Sequence, residues 1–217
     1  MAYTAYNGSS ILLNLARTAN PFDRNGWDRL GPVFPNYQNS KSGALLIRES
    51  GPHYLFWGDS DIRVAQSNDL TSWSDIGNII ISPRTDSFDS RLVESGPPPL
   101  LLRSGNYLFL YNSAQKGWPE DRNTAYHVGW VILDRNDPTK VLVRSESPLM
   151  GPETAWEKGE SPYSCNAPNV IFLEAAYALG SDRFKVFFGG ADATVGSAVI
   201  EVDESTSSFA RESLLFE

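Results

Sequence analysis

The sequence predicts an all-β propeller, a ring of small antiparallel sheets, and two observations lead there. The first is composition. Of 217 residues, 12% are aromatic, and 17 Gly and 14 Pro punctuate apolar runs that are all short. That mixture suits brief strands joined by tight turns better than a helical bundle. The second is an internal repeat of about fifty residues with about four strands, the spacing of propeller blades.

Three segments open with a short apolar run: Ala44-Leu45-Leu46-Ile47, Pro99-Leu100-Leu101-Leu102 and Asn169-Val170-Ile171-Phe172. Each leads into an aromatic-rich run that closes on small or polar residues. These are Tyr54-Leu55-Phe56-Trp57-Gly58-Asp59, Tyr107-Leu108-Phe109-Leu110-Tyr111-Asn112 and Val186-Phe187-Phe188-Gly189-Gly190-Ala191-Asp192. A third strand-like run follows at 62–65, 126–133 and 195–202. The outer part recurs as Trp27-Asp28-Arg29-Leu30-Gly31 and Trp73-Ser74-Asp75-Ile76-Gly77, both W-x-x-x-G. A β-sandwich would also give short strands, but not this repeated order.

At the N-terminus, Met1-Ala2-Tyr3-Thr4-Ala5-Tyr6-Asn7 reads as the second strand of a blade and residues 11–16 as the third. The innermost strand of that blade is missing from its expected place. The expectation is an incomplete propeller of about three and a half blades in one domain, residues 1–217, lacking the first blade and one inner strand.

Composition narrows the partners. The net charge of -8 is spread along the chain without a basic stripe, which argues against nucleic acid and anionic membranes. No run approaches the length of a membrane span, and no charged leader precedes an apolar core. Cys165 is the sole cysteine, which rules out an intramolecular disulfide and favours a cytoplasmic or redox-indifferent compartment. It reads as a small buried residue rather than a catalytic thiol. No closely spaced His, Cys or carboxylate set suggests a metal, His53 and His127 included, and no cofactor is expected.

Blade geometry places a candidate site. The first strand of a blade runs outward from the channel and the second returns beside it, so entry and exit share one face. Entering residues are Lys41 with Ser42, Glu94 with Ser95, and Cys165 with Asn166; leaving residues are Tyr6 with Asn7, Asp59, Asn112 and Asp192. Each acid alone is as readily a solvated rim charge. Together they form a polar cluster bordered by aromatics, which suits a sugar: hydroxyls need donors and acceptors while the C–H face packs on rings. Trp118 in the 115–125 connection is a candidate stacking platform, although Trp118, Trp156 and Tyr163 are expected first of all to pack their loops.

In their order along the chain, these segments resemble glycoside hydrolase family 130, the β-mannoside phosphorylases and related β-mannosidases. The matching pieces include residues 1–8, Asn39-Ser40-Lys41-Ser42-Gly43, Val93-Glu94-Ser95-Gly96-Pro97, Tyr107-Leu108-Phe109-Leu110-Tyr111-Asn112-Ser113, Pro168-Asn169-Val170-Ile171-Phe172 and Phe188-Gly189-Gly190-Ala191-Asp192. The resemblance implies five blades and an oligosaccharide ligand, with a homo-oligomer allowed. It also puts the family's general-acid Asp on the strand preceding Tyr3-Thr4-Ala5, ahead of Met1. Where phosphorylases of the family carry a His-Arg pair and a Tyr-His-Gly, this chain has Trp57-Gly58-Asp59 and Tyr111-Asn112-Ser113. Phosphate binding calls for cationic donors. The resemblance therefore implies an inverting β-mannoside hydrolase, with Glu94 as catalytic base and Tyr6, Asn7, Lys41, Asp59, Asn112 and Asp192 as substrate contacts. Three alternatives remain: a phosphorylase releasing mannose 1-phosphate, a non-catalytic sugar-binding propeller, and another five-bladed sugar enzyme of arabinanase type.

Overall fold

Turn residues cut the chain into strands in the computed structural model, which describes residues 1–37 and 39–203, and 208–214 as backbone. The described residues form four open antiparallel sheets. The first comprises β1 (Ala2–Tyr6), β2 (Ile11–Arg17) and β3 (Asp28–Pro32), and the second β4 (Ala44–Leu46), β5 (His53–Trp57), β6 (Ile62–Ser67) and β7 (Ser74–Ile81). The third holds β8 (Leu92–Ser95), β9 (Leu100–Leu101), β10 (Tyr107–Ala114), β11 (Tyr126–Leu133) and β12 (Val141–Arg144). The fourth is β13 (Ile171–Gly180), β14 (Arg183–Gly190), β15 (Thr194–Asp203) and β16 (Ser208–Leu214). The one helix among the described residues, α1 (Ala155–Lys158), is a single turn closed by a capping box.

Each sheet packs a face on the next in chain order, and alternation along the strands shows how. In β10, Leu108 and Leu110 join a core shared with Ile171, Leu173, Phe184 and Phe188 of the fourth sheet. The intervening Phe109 and Tyr111 join a core shared with Tyr54, Phe56 and Val64 of the second. Leu55 and Trp57 face the other way, onto Leu13 of the first. A strand covered on both faces has no polar face to display, which is why these strands read as unbroken apolar and aromatic runs. By contrast, β14 alternates buried and partly exposed residues, because one of its faces lacks such a partner sheet among the described residues.

The W-x-x-x-G repeat has a backbone cause. Gly31 and Gly77 both take positive φ, +85° and +76°, at register shifts of the outer strands against β2 and β6. A side chain at either glycine would meet open space, so conformation rather than crowding asks for glycine.

The third sheet departs from expectation. Its inner strand is not one run from Pro99 but two pieces, β8 and β9, both paired with β10. Pro97, Pro98 and Pro99 have no N–H to give the ladder, so pairing lapses between the pieces. Glu94 therefore lies within a strand, opposite Asn112, and not in the loop that enters one.

Candidate functional site

A cavity of about 940 Å³ opens where the inner edges of the sheets converge. That volume lies at the upper end of the range typical of small-ligand sites. Its lining includes Tyr3 and Thr4 of β1, Lys41 and Ser42 ahead of β4, Glu94 and Ser95 of β8, Trp118, Tyr126, Phe172 and Glu174 of β13, and Asp192 after β14.

Glu94 is its chemical centre. The residue is 4% exposed, yet its carboxylate is well supplied with donors. Lys41 Nζ (2.9 Å) and Tyr126 Oη (2.8 Å) both donate to Oε1, and Ser42 Oγ (2.6 Å) donates to Oε2. These donors come from the segments before β4 and at the start of β11. Lys41 is ion-paired on its other side with Asp59, at 3.4 Å. Burial works against the charge of Lys41, but Glu94 and Asp59 outweigh it and hold the ammonium pKa above its ordinary value. The Tyr126 phenol is pushed strongly upward, first by burial and then by the facing Glu94 carboxylate.

The backbone around Lys41 and Asp59 is set by two hydrogen bonds between segments distant in sequence. Ser40, fully buried, accepts the N–H of Leu13 on its hydroxyl, tying this segment to β2. Gly58 N–H donates to Lys41 O at 3.0 Å, with φ at +148° and no room for a side chain: a Cβ would collide with Asp61 O. Gly58→Ala is expected to cost about 2 kcal/mol or more. Thermal denaturation of the variant measures this, and an unchanged melting temperature would contradict it.

Asp192 sits in a left-handed turn, φ +51°, with its backbone O accepting from Asn166 Nδ2 at 2.6 Å. Desolvation raises its pKa. Trp118 lines the cavity and also packs edge-on against Tyr126, with its indole N–H on Pro168 O at 2.7 Å. Trp156 instead stacks on Phe188, and Tyr163 lies outside the cavity lining. Cys165, expected to be buried, is exposed.

Of the residues singled out from sequence, Lys41, Glu94 and Asp192 line this one cavity, and Asp59 reaches it through Lys41. Tyr6 and Asn7 do not line it. They close the exposed turn after β1: Tyr6 Oη donates to Gly8 O, and Asn7 Oδ1 accepts from the N–H groups of Ser9 and Ser10. Asn112 is fully buried behind the cavity wall. Its Nδ2 donates to Leu173 O (3.0 Å) and its Oδ1 accepts from Leu173 N (2.7 Å), so a sugar contact there would first have to break both bonds. Tyr126 and Glu174 were not singled out. Tyr126 opens an apolar strand-like run that carries no sign of a site, and nothing local marks Glu174.

Comparison with known proteins places this arrangement. The profile of glycoside hydrolase family 130, described as β-1,4-mannooligosaccharide phosphorylase, matches residues 1–209. The chain belongs to glycoside hydrolase family 130. It is 32% identical over 209 residues to a 1,2-β-oligomannan phosphorylase of Thermoanaerobacter sp. (strain X514), covering 94% of this chain and 64% of that relative. A glycosyl hydrolase structure from Bacteroides ovatus superposes with TM-score 0.77 at 29% identity, over 97% of this chain and 62% of that one. A further structure, from work on the GH130 mannoside phosphorylases whose family contains glycoside hydrolases that target β-1,2 mannosidic linkages in Candida mannan, gives TM-score 0.78. Its identity is 27%, with coverages of 97% and 63%. The family 130 chain thus spans a little under two thirds of the length of these relatives. The names of these relatives are those of phosphorylases and hydrolases, several of them of β-mannosides.

Proposed function

We propose that the cavity is the sugar site of a β-mannoside-cleaving enzyme that uses water, with Glu94 as the base. In this reading the four sheets are blades of a five-bladed ring, and the cavity is the mouth of its channel. The observation that carries the choice of water is electrostatic. Lys41 is the one Lys, Arg or His side chain among the described lining residues, and it is already shared between Glu94 and Asp59. With Glu94 and Asp192 nearby and Asp59 holding Lys41, an entering phosphate would meet more like charge than donors.

A carboxylate offers about four acceptor positions, and three on Glu94 are occupied, which leaves room for a water. As that water attacks the anomeric carbon, the bond to the glycosidic oxygen breaks, Glu94 takes the water's proton, and the departing oxygen takes up a proton from solvent. Lys41, Ser42 and Tyr126 hold the carboxylate in place meanwhile, as base catalysis requires. Asp192 accepts sugar hydroxyls, and Trp118 or Phe172 offers an apolar ring face.

Incubation with β-1,2- and β-1,4-manno-oligosaccharides, with and without phosphate, tests the reading. Mannose released at equal rates in both is expected, and phosphate-dependent mannose 1-phosphate would overturn it. Lys41→Ala is expected to raise KM about tenfold with a smaller change in kcat, since the ammonium keeps a third N–H for a sugar hydroxyl beside Glu94 and Asp59 and takes no proton in the step. A second reading, phosphorolysis, is favoured by the phosphorylase names of the curated relatives, and the same incubation decides between the two.

A further inference from the structure

Glu174 enters the cavity through an irregularity in its strand. Leu173 and Ala175 pair with the consecutive residues Phe188 and Phe187, so Glu174 is the extra, unpaired residue of a bulge in β13. Bulges re-aim side chains, and this one puts Glu174 on the wall facing Glu94, Lys41 and Asp192. Among the described residues it makes no ion pair or hydrogen bond.

The bulge is held from behind by Asn112, which pairs with Glu94 across β8 and β10 and grips both backbone groups of Leu173. One buried amide thus fixes the strand carrying Glu94 relative to the residue next to Glu174. Breaking it would strand four polar groups in a dry interface, so the offset is rigid.

The β13 wall itself carries no side-chain donor: Val170, Phe172 and Leu173 beside Glu174 are apolar, and Lys41, Ser42 and Tyr126 across the cavity already donate to Glu94. Ser95, the neighbour of Glu94 on β8, also contributes to the lining, and its buried Oγ has no hydrogen-bond partner. Oxygens of a sugar that point at the β13 side need a proton to accept.

Building on the sugar-site reading above, we propose that Glu174 is a carboxylic acid that donates a hydrogen bond to an oxygen of the bound mannoside, and that Asn112 is the positioning residue that sets Glu174 against Glu94. The electrostatics agree. Glu174 is exposed within the open cavity, yet partial desolvation of its carboxyl raises its pKa, and the charges of Glu94 and Asp192 add to the rise. A neutral acid supplies the donor and avoids a third negative charge.

Two measurements test this. In the chain alone, a carbon-13 titration of the glutamate carboxyls, assigned with Glu174→Gln, is expected to place Glu174 above the ordinary value of 4.5. Its midpoint should fall in Glu94→Gln, which removes the facing charge, and change in Asn112→Ala or Asn112→Ser, which release the bulge; one folded Asn112 variant suffices. An ordinary midpoint that ignores these substitutions would overturn the proposal. The second measurement is calorimetric affinity for β-1,2-mannobiose between about pH 4 and pH 7. Wild-type affinity should weaken about tenfold as Glu174 ionises, and Glu174→Gln, a permanent donor, should abolish that dependence. If wild type binds and Glu174→Gln keeps the full pH dependence, the donor role is wrong while the sugar site stands. If wild type binds no mannoside at any pH, the sugar-site reading itself fails and takes the donor role with it.

Discussion

Glu94→Gln is expected to lower turnover of β-mannosides by about a hundredfold or more, with KM changed little. Glutamine keeps the volume but cannot take a proton from water at neutral pH. The sugar contacts assigned to Asp192 and Trp118 are untouched. Some stability should go as well, because an amide must turn its NH₂ toward Tyr126, Lys41 or Ser42, all of which now donate to the carboxylate. A loss of about 1–3 kcal/mol is expected from one mismatched donor pair. Steady-state kinetics alongside thermal denaturation separate the two effects. A folded Glu94→Gln that keeps half of the wild-type kcat would remove Glu94 from the chemistry.

The largest expected effect on stability lies away from the cavity, at Asp89. This carboxylate is fully buried between the second and third sheets. It accepts from Arg84 Nε (3.1 Å) and Nη2 (2.8 Å), Arg144 Nη2 (2.7 Å) and Tyr111 Oη (2.9 Å). Asp89→Ala leaves two guanidinium groups and a phenol without their shared acceptor. The expected loss is about 3–5 kcal/mol, a drop in melting temperature on the order of 10 °C for a chain of this size. A change under about 2 °C would show that the Arg groups find water instead.

Acid should act through the same group. Burial alone would raise the pKa of Asp89, but the bonds from Arg84, Tyr111 and Arg144 outweigh it and leave the folded-state value below the ordinary 3.8. A carboxyl depressed in the folded state stabilises fully above its unfolded pKa, and that contribution fades as pH falls through the folded one. Wild-type melting temperature should therefore decline below about pH 4, and the decline should be shallower in Asp89→Asn. Asp75 and Asp134 are depressed too and contribute in the same window, so the difference between the two curves isolates Asp89.

Much of the strand plan was legible because it is written in local pattern. The run expected at 126–133 is β11 from end to end, and β10 begins at the expected Tyr107. Strands buried on both faces announce themselves as continuous apolar runs between turn residues, and both W-x-x-x-G glycines sit at positive φ where the outer strands shift register. Family membership was legible in the order of short motifs. The three-proline break between β8 and β9 was not, because the apolar run after Pro99 hid the earlier strand that carries Glu94.

By itself, then, the sequence determined the all-β class, the order of the strands and the placing of Lys41, Glu94 and Asp192 near their ends. Burial on each face and the turn chemistry between strands are local properties that each segment carries alone. Only tertiary structure decided that Tyr126 reaches Glu94, that Asn112 grips Leu173 and not a ligand, and that a bulge turns Glu174 into the cavity. Those contacts join residues 32, 61 and more positions apart, and no local pattern encodes a partner that packing alone brings near.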